Sequence, residues 1–197
     1  MAPDEPSPTL VLGLTGPNAS GKGEVAKYLA LHRFTLHSLS DVVREEASRQ
    51  GLDHTRDNLI RIGVLIRTAG GPGALALRVL PRLEGRAVVD SIRSPGEVMV
   101  LRTLPRFLLL GVDAPQVLRF ERSLRRGRVG DGATLSEFAR KEALENSTTE
   151  AGQQLLATLA LADLLINNDG TLEDLHRRVR QALATAGLTL GEAADSQ

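Results

Sequence analysis

Cysteine is absent from the 197-residue chain, which excludes disulfides and thiolate zinc sites and means that no redox staple is required. An excess of either charge is also missing: 24 Lys plus Arg balance 24 Asp plus Glu. Nothing global therefore draws the protein to nucleic acid or to an anionic membrane, and phosphate recognition has to come from local basic clusters. No apolar run approaches the roughly 20 residues of a membrane span. Met1 to Pro8 is proline-rich and acidic, not basic and then apolar as a signal peptide would be. His32, His37, His54 and His176 form no ligand-like grouping, and no internal repeat is found. The expectation is a cytoplasmic protein, monomer or homodimer, with neither nucleic acid nor membrane as partner.

What is present is concentrated in Gly16-Pro17-Asn18-Ala19-Ser20-Gly21-Lys22-Gly23. A short apolar run, Leu10 to Leu14, precedes it, and a helical pattern, Val25-Ala26 with Leu29-Ala30, follows. Strand, glycine-rich turn and helix is the context in which backbone N–H groups surround phosphate oxygens and a lysine neutralises them. The Ser or Thr that usually follows the lysine and reaches a magnesium ion is replaced by Gly23.

The rest of the chain alternates strands and helices. Phe34 to His37 reads as a second strand, with Ser40 as cap of a helix through Val42, Val43 and Ala47. Thr55 is placed to cap another, ending at Gly70-Gly71-Pro72-Gly73, and a further helix carries Leu75 and Val79. These consecutive helices, residues 40–84, read as an insert. Ala87-Val88-Val89 is a third strand; Ser94-Pro95-Gly96-Glu97 combines a capping box with proline at the first helical position. Phe107 to Val112 is a fourth strand, followed by a helix from Ala114 to Leu124 whose arginines gather toward its end, and by a glycine-punctuated stretch, Gly127 to Gly132. Thr134 with Glu137 and Ser147 with Glu150 suggest two more capping boxes; Leu164 to Ile166 is the last strand, and Thr171 caps a closing helix. Residues 9–186 make one domain between a flexible leader, 1–8, and a flexible tail, 187–197.

Such alternation predicts an α/β fold with a mostly parallel five-stranded sheet, whose ligands lie beyond the carboxyl ends of the strands. The polar residues sit there: Gly16 to Gly23, Ser38 to Arg44, Asp90 to Arg93, and Asn167 to Gly170.

Taken together, the glycine-rich loop, Ser38-Leu39-Ser40-Asp41-Val42-Val43-Arg44, Asp90-Ser91-Ile92-Arg93, the arginine-rich helix and Ile166-Asn167-Asn168-Asp169-Gly170 resemble the P-loop nucleotide kinases, in their adenylate-kinase-like and dephospho-CoA-kinase-like branches. Lys22-Gly23 is itself the adenylate-kinase form, but Glu24 stands where that branch has threonine, and the Gly-Lys-Gly-Glu variant is similar to an archaeal group of kinase-like P-loop proteins. The resemblance implies a three-layer P-loop kinase fold with a helical acceptor-binding insert and a short lid, residues 125–133. It implies transfer of the terminal phosphoryl group of ATP, with Mg2+, to a nucleoside monophosphate or similar small nucleotide. Dephospho-CoA is the second acceptor, and a regulatory nucleotide-binding ATPase is the rival class, with Glu24 as its motive.

By the same resemblance, Gly16, Asn18, Ala19, Ser20, Gly21, Lys22, Gly23 and Glu24 hold the donor phosphates, and Asn167, Asn168 and Gly170 border the donor base. Lys22, Arg93, Arg122, Arg126 and, from the lid, Arg128 are the expected catalytic cations, Arg122 and Arg126 lying four apart on one helix face. Ser38, Asp41, Arg44, Arg93 and Glu97 are the expected acceptor residues, Glu97 either reading the acceptor base or serving the capping box. Asp41 and Asp90 are expected to bind Mg2+ through water, with helix capping as the competing role. Arg119 and Arg125 read as solvated surface charges.

Overall fold

The computed structural model describes residues 10–127, 132–144, 146 and 149–191. β1 (Leu10–Thr15) is buried along its whole length because a strand pairs with it on each side. Leu12 is in register with Val88 of β3 (Arg86–Asp90) and with Leu108 of β4 (Arg106–Asp113). β2 (Thr35–Ser38) lies outside β3 and β5 (Leu164–Asn167) outside β4, giving the order β2-β3-β1-β4-β5 with all neighbours in the sheet parallel. Parallel strands need crossovers, and here helices bury both faces of the sheet.

Alternate residues of β1 enter different cores, as the two-residue period of a strand requires. Leu12 and Leu14, with Val88, Leu110 and Val112, pack against α1 (Lys22–Leu31) and α9 (Leu172–Thr185) through Val25, Leu29, Leu175 and Val179. Val11, with Ala87, Val89 and Leu109, meets α2 (Leu39–Arg49), α3 (Arg56–Gly70), α4 (Ala74–Val79) and α5 (Pro95–Leu101). Each buried Leu or Val contributes roughly 1.5–3 kcal/mol. The strand ends are therefore held from two sides.

The consecutive helices expected between the second and third strands are α2, α3 and α4, closed by a 3-10 turn at Leu80–Arg82. They share one core with the sheet and with α5. After β4 come α6 (Gln116–Arg126), α7 (Leu135–Leu144) and α8 (Leu155–Leu159). Among the described residues no single helix is long and apolar enough to cross a membrane; the apolar α3–α4 pair bends by 90°.

Two expected caps differ. Ser38, not Ser40, caps α2: its backbone is extended and its Oγ accepts the Ser40 N–H at 3.3 Å. Thr55 precedes α3 without a side-chain cap, because its hydroxyl donates to the Asp53 carboxylate at 2.9 Å, a stronger acceptor. The Ser94–Glu97 capping box is formed, and Thr171 makes another with Asp174. The expected Ser147 cap, Arg128 and residues 129–131 of the lid, the leader and residues 192–197 of the tail lie outside the described residues.

Candidate functional site

The loop between β1 and α1 is shaped by two glycines that admit no side chain. Gly16 has φ +140°, and a Cβ there would lie 2.0 Å from the Val112 carbonyl oxygen; Gly21 has φ +105°, and its Cβ would lie 2.1 Å from Asn168 Nδ2. Gly23 is different: a Cβ on it meets nothing within 4 Å. Ala19 is held at φ +59° and Ser91, after β3, at φ +66°. Left-handed backbone costs an L-residue about 1–2 kcal/mol, and such strain gathers at functional sites. Two of the three described non-glycine residues with positive φ, Ala19 and Ser91, follow the central strands β1 and β3; the third, Arg33, precedes β2.

Lys22 folds back over the loop, its Nζ donating at 2.7 Å to both the Gly16 and the Pro17 carbonyls. Neutral carbonyls are weaker partners for an ammonium than phosphate oxygens. The helix α1 begins at Lys22, and the first N–H groups of any helix point out of its end, toward the loop. The loop thus gathers a cation and donors around one space, at the positive end of the helix dipole.

A wall of polar contacts fixes this cradle from the side of β4 and β5. Asn168 is buried; its backbone N–H donates to Asp113 (2.6 Å) and its side-chain Nδ2 to the Ser20 carbonyl (2.8 Å). Arg122 of α6 donates through Nη2 to the Asn168 carbonyl at 2.9 Å. Its Nη1 is buried with no hydrogen-bond partner among the described residues, and so is Ser20 Oγ in the loop. Burial first, then the nearby Arg125, hold the Arg122 pKa below its ordinary value. Orphaned donors of this kind are costly. An anion would satisfy them.

The other expected donor residues are placed as follows. Arg126 Nη2 reaches Asn18 Oδ1 at 3.0 Å, so α6 spans the loop with two arginines. Asn168 is a strut between loop and arginine, while Asn167 is exposed and its carbonyl accepts from Arg178. Gly170 lies against the Thr171–Asp174 cap, where a Cβ would come 2.7 Å from Asp174 Oδ2 and shift that side chain. Glu24 pairs with Lys27 at 2.9 Å, which shares its charge. Arg119 corrects the reading from sequence. It is not a solvated charge: it is buried, paired with Glu142, and donates to the Ala114 carbonyl at 2.8 Å and to the Asn18 carbonyl at 3.4 Å. Its partner stands 23 residues away on α7, a spacing that carries no local signal.

On the other side of the loop the ends of β2 and β3 bring hydroxyls together. Ser38 Oγ lies 2.9 Å from Ser40 Oγ and 3.3 Å from Ser91 Oγ, and Arg44 donates to Ser40 Oγ at 2.9 Å. Ser40 and Ser91 join the expected residues here. Asp41 accepts from Arg44 at 2.6 Å on the exposed first turn of α2. It pairs with Arg44 there through one oxygen, and the second expected carboxylate, Asp90, ends β3. One Asp90 oxygen accepts the Ser91 N–H at 2.6 Å. No group of three or more His, Cys, Asp or Glu able to hold a bare metal ion occurs among the described residues. A single carboxylate fits Mg2+ held through water and substrate phosphates, not a cage built by protein ligands.

Glu97 departs from the base-reading expectation. It is fully buried; one carboxylate oxygen takes two N–H groups of Arg67 at 3.1 and 2.7 Å, and the other takes the backbone N–H groups of Arg93 and Ser94 at 2.7 and 3.1 Å. No lone pair is left to read an acceptor base. Arg93 itself stands partly buried after β3, with Nη1 donating to Gln153 at 2.9 Å. Arg67, 30 residues from Glu97, had no sequence signal.

A parallel sheet in the order β2-β3-β1-β4-β5, with a glycine-rich loop and lysine between β1 and α1, is the P-loop kinase fold. Solved structures agree: a shikimate kinase from Bacteroides thetaiotaomicron has a TM-score of 0.61 at 15% identity, over 91% of this chain and 99% of that one. TT1252 from Thermus thermophilus has 0.62 at 23%, over 91% and 98%. A gluconokinase from Sinorhizobium meliloti has 0.54 at 14%, over 92% and 95%.

The chain belongs to the UPF0200 family. It is 32% identical over 184 residues to the UPF0200 protein of Pyrococcus horikoshii, covering 89% of this chain and 96% of that one, and 39% identical over 181 residues to that of Aeropyrum pernix, covering 90% and 94%. No family model matches the chain.

Proposed function

We propose that this protein is an ATP-dependent phosphotransferase that moves the γ-phosphoryl group to a nucleoside monophosphate or similar small nucleotide. The observation that carries the reading is the buried Nη1 of Arg122, without a partner among the described residues, beside a loop that brings Lys22 and the start of α1 together. Phosphoryl transfer asks a protein for position and charge neutralisation more than for covalent chemistry. Gly16, Ser20, Gly21 and Gly23 let the loop approach the donor phosphates, while Lys22, Arg122 and Arg126 supply positive charge. Asn168 keeps the loop and Arg122 in fixed relation. Arg44 and Arg93, with Ser38, Ser40 and Ser91, would hold the acceptor's phosphate at the ends of β2 and β3. Asp90 would hold Mg2+ through water; when bound, that ion neutralises charge on the transferring phosphates.

The test is an acceptor panel on the purified protein with ATP and Mg2+: nucleoside monophosphates, dephospho-CoA, shikimate and gluconate, read as phosphorylated product. Faster ADP formation with a nucleoside monophosphate is the expected result. Tight ATP binding with no acceptor effect across the panel overturns the reading. It would instead support a regulatory nucleotide-binding ATPase, which one observation favours: Arg44 is already paired with Asp41, and Glu97 with Arg67.

A further inference from the structure

We infer that Arg67 and Glu97 are positioning residues for Arg93, wiring the helical insert to the cation that faces the acceptor. The inference rests on the proposed acceptor role of Arg93. Its geometry is independent of that role. Arg67 and Glu97 are both buried and joined by two hydrogen bonds to a single carboxylate oxygen. The second oxygen holds the Arg93 N–H at 2.7 Å, while the Arg93 carbonyl accepts the Gln154 N–H at 2.8 Å. The backbone of Arg93 is therefore gripped on both sides, and the hydrogen-bonding capacity of the carboxylate is spent on this grip and on Arg67.

The insert side is built to keep the pair in place. Gly63, one turn before Arg67 on α3, leaves room for the guanidinium: a Cβ there would lie 3.3 Å from Arg67 Nη1. Ser94 Oγ donates to the Pro72 carbonyl at 3.0 Å, and a Cβ on Gly73 would lie 2.8 Å from the Gly96 carbonyl oxygen. The turn between α3 and α4 thus meets the start of α5 at close range. Displacing α3 would move Arg67, then Glu97, then the Arg93 backbone. Breaking one half of a buried pair strands a charge, whereas replacing both halves by apolar groups is commonly tolerated.

Two measurements test the inference. In the unaltered protein, hydrogen exchange followed by NMR should show the Arg93 and Ser94 amides protected as well as the α3 amides around Arg67; fast exchange at both while α3 stays protected overturns it. Two double variants then separate positioning from bulk stability. Arg67→Met with Glu97→Met removes the acceptor of the Arg93 N–H, whereas Arg67→Met with Glu97→Gln keeps one. With the acceptor found in the panel, the first variant should raise the acceptor KM about 10- to 100-fold and leave the ATP KM unchanged, and the glutamine variant should restore most of the loss. Equal acceptor KM in the two folded variants and the parent overturns the inference. If the double-methionine chain does not fold, an acceptor KM in the glutamine variant as high as 100-fold above the parent overturns it too, since the retained acceptor should rescue. Should no acceptor support turnover in the parent, the kinase reading falls and the exchange comparison alone decides the wiring.

Discussion

The two sides of the loop differ in how their polar groups are used. On the proposed donor side, the cradle of Gly16 to Gly23 with Arg122 leaves Arg122 Nη1 and Ser20 Oγ buried without partners among the described residues. On the proposed acceptor side Arg44 pairs with Asp41 and Arg67 with Glu97, although His37 Nε2 on β2 is also buried without a partner among the described residues. Unmet donors mark a place prepared for an anion, since leaving them dry costs stability that a ligand returns. Closed pairs mark a place prepared for position. The first shape was legible from glycine spacing; the second depends on contacts between distant segments.

The comparison breaks most readily at Arg67. Arg67→Ala leaves fully buried Glu97 without its cation, and the expected loss is about 3–5 kcal/mol, read from urea midpoints. A loss under about 1 kcal/mol would mean that charge does not organise the acceptor side. On the donor side the balance should reverse. Arg122→Met is expected to leave the melting temperature nearly unaltered and to weaken ATP binding by about 1.5–3 kcal/mol, measured by calorimetry. Unchanged affinity would show that the orphaned Nη1 does not meet phosphate.

The glycines sharpen the same contrast. Gly21→Ala places a Cβ against Asn168 at φ +105° and is expected to cost about 1–3 kcal/mol along with ATP binding. Gly23→Ala meets no protein atom and is expected to stabilise α1 by about 0.5–1 kcal/mol. Thermal melts with and without ATP compare the two.

The smallest effect concerns the cap behind the donor-side loop. The Thr171 N–H, then the Thr171 hydroxyl and Arg177, hold the Asp174 carboxyl down from 3.8 to about 2. The unfolded chain therefore binds more protons between these values, so this contribution is complete above the ordinary carboxyl range and is lost as pH falls from 3.8 toward 2. Asp174→Asn should flatten that part of a melting-temperature profile; an unaltered acid limb would remove the cap from the account.

Particular residues show where reading the sequence succeeded. Val11 and Leu12, one residue apart, enter opposite cores, so an unbroken apolar run was enough to place a central strand. Ser94 and Glu97 are three apart, and their capping box forms because a helix start decides it locally. Glu97 also shows where such reading stopped. Its cap was visible, but its partner Arg67 lies 30 residues away on another helix, and no periodicity encodes a contact between two helices that meet only after the sheet has assembled. Arg119 was missed for the same reason, its carboxylate partner being on α7. Ser38 displaced Ser40 as cap because α2 begins at Leu39, directly after β2 with no intervening loop.

By itself the sequence determined the parallel α/β fold and the glycine-rich cradle, because strand period, helix caps and glycine backbone freedom are local properties. Tertiary structure alone decided which polar groups are spent and which are left over. Asn168 became a strut, Glu97 a clamp and Arg119 a buried support, while Arg122 kept a donor without a partner among the described residues. The physical reason is desolvation: a charged side chain's role is set by what surrounds it once water has been removed, and those surroundings come from segments far apart in the chain.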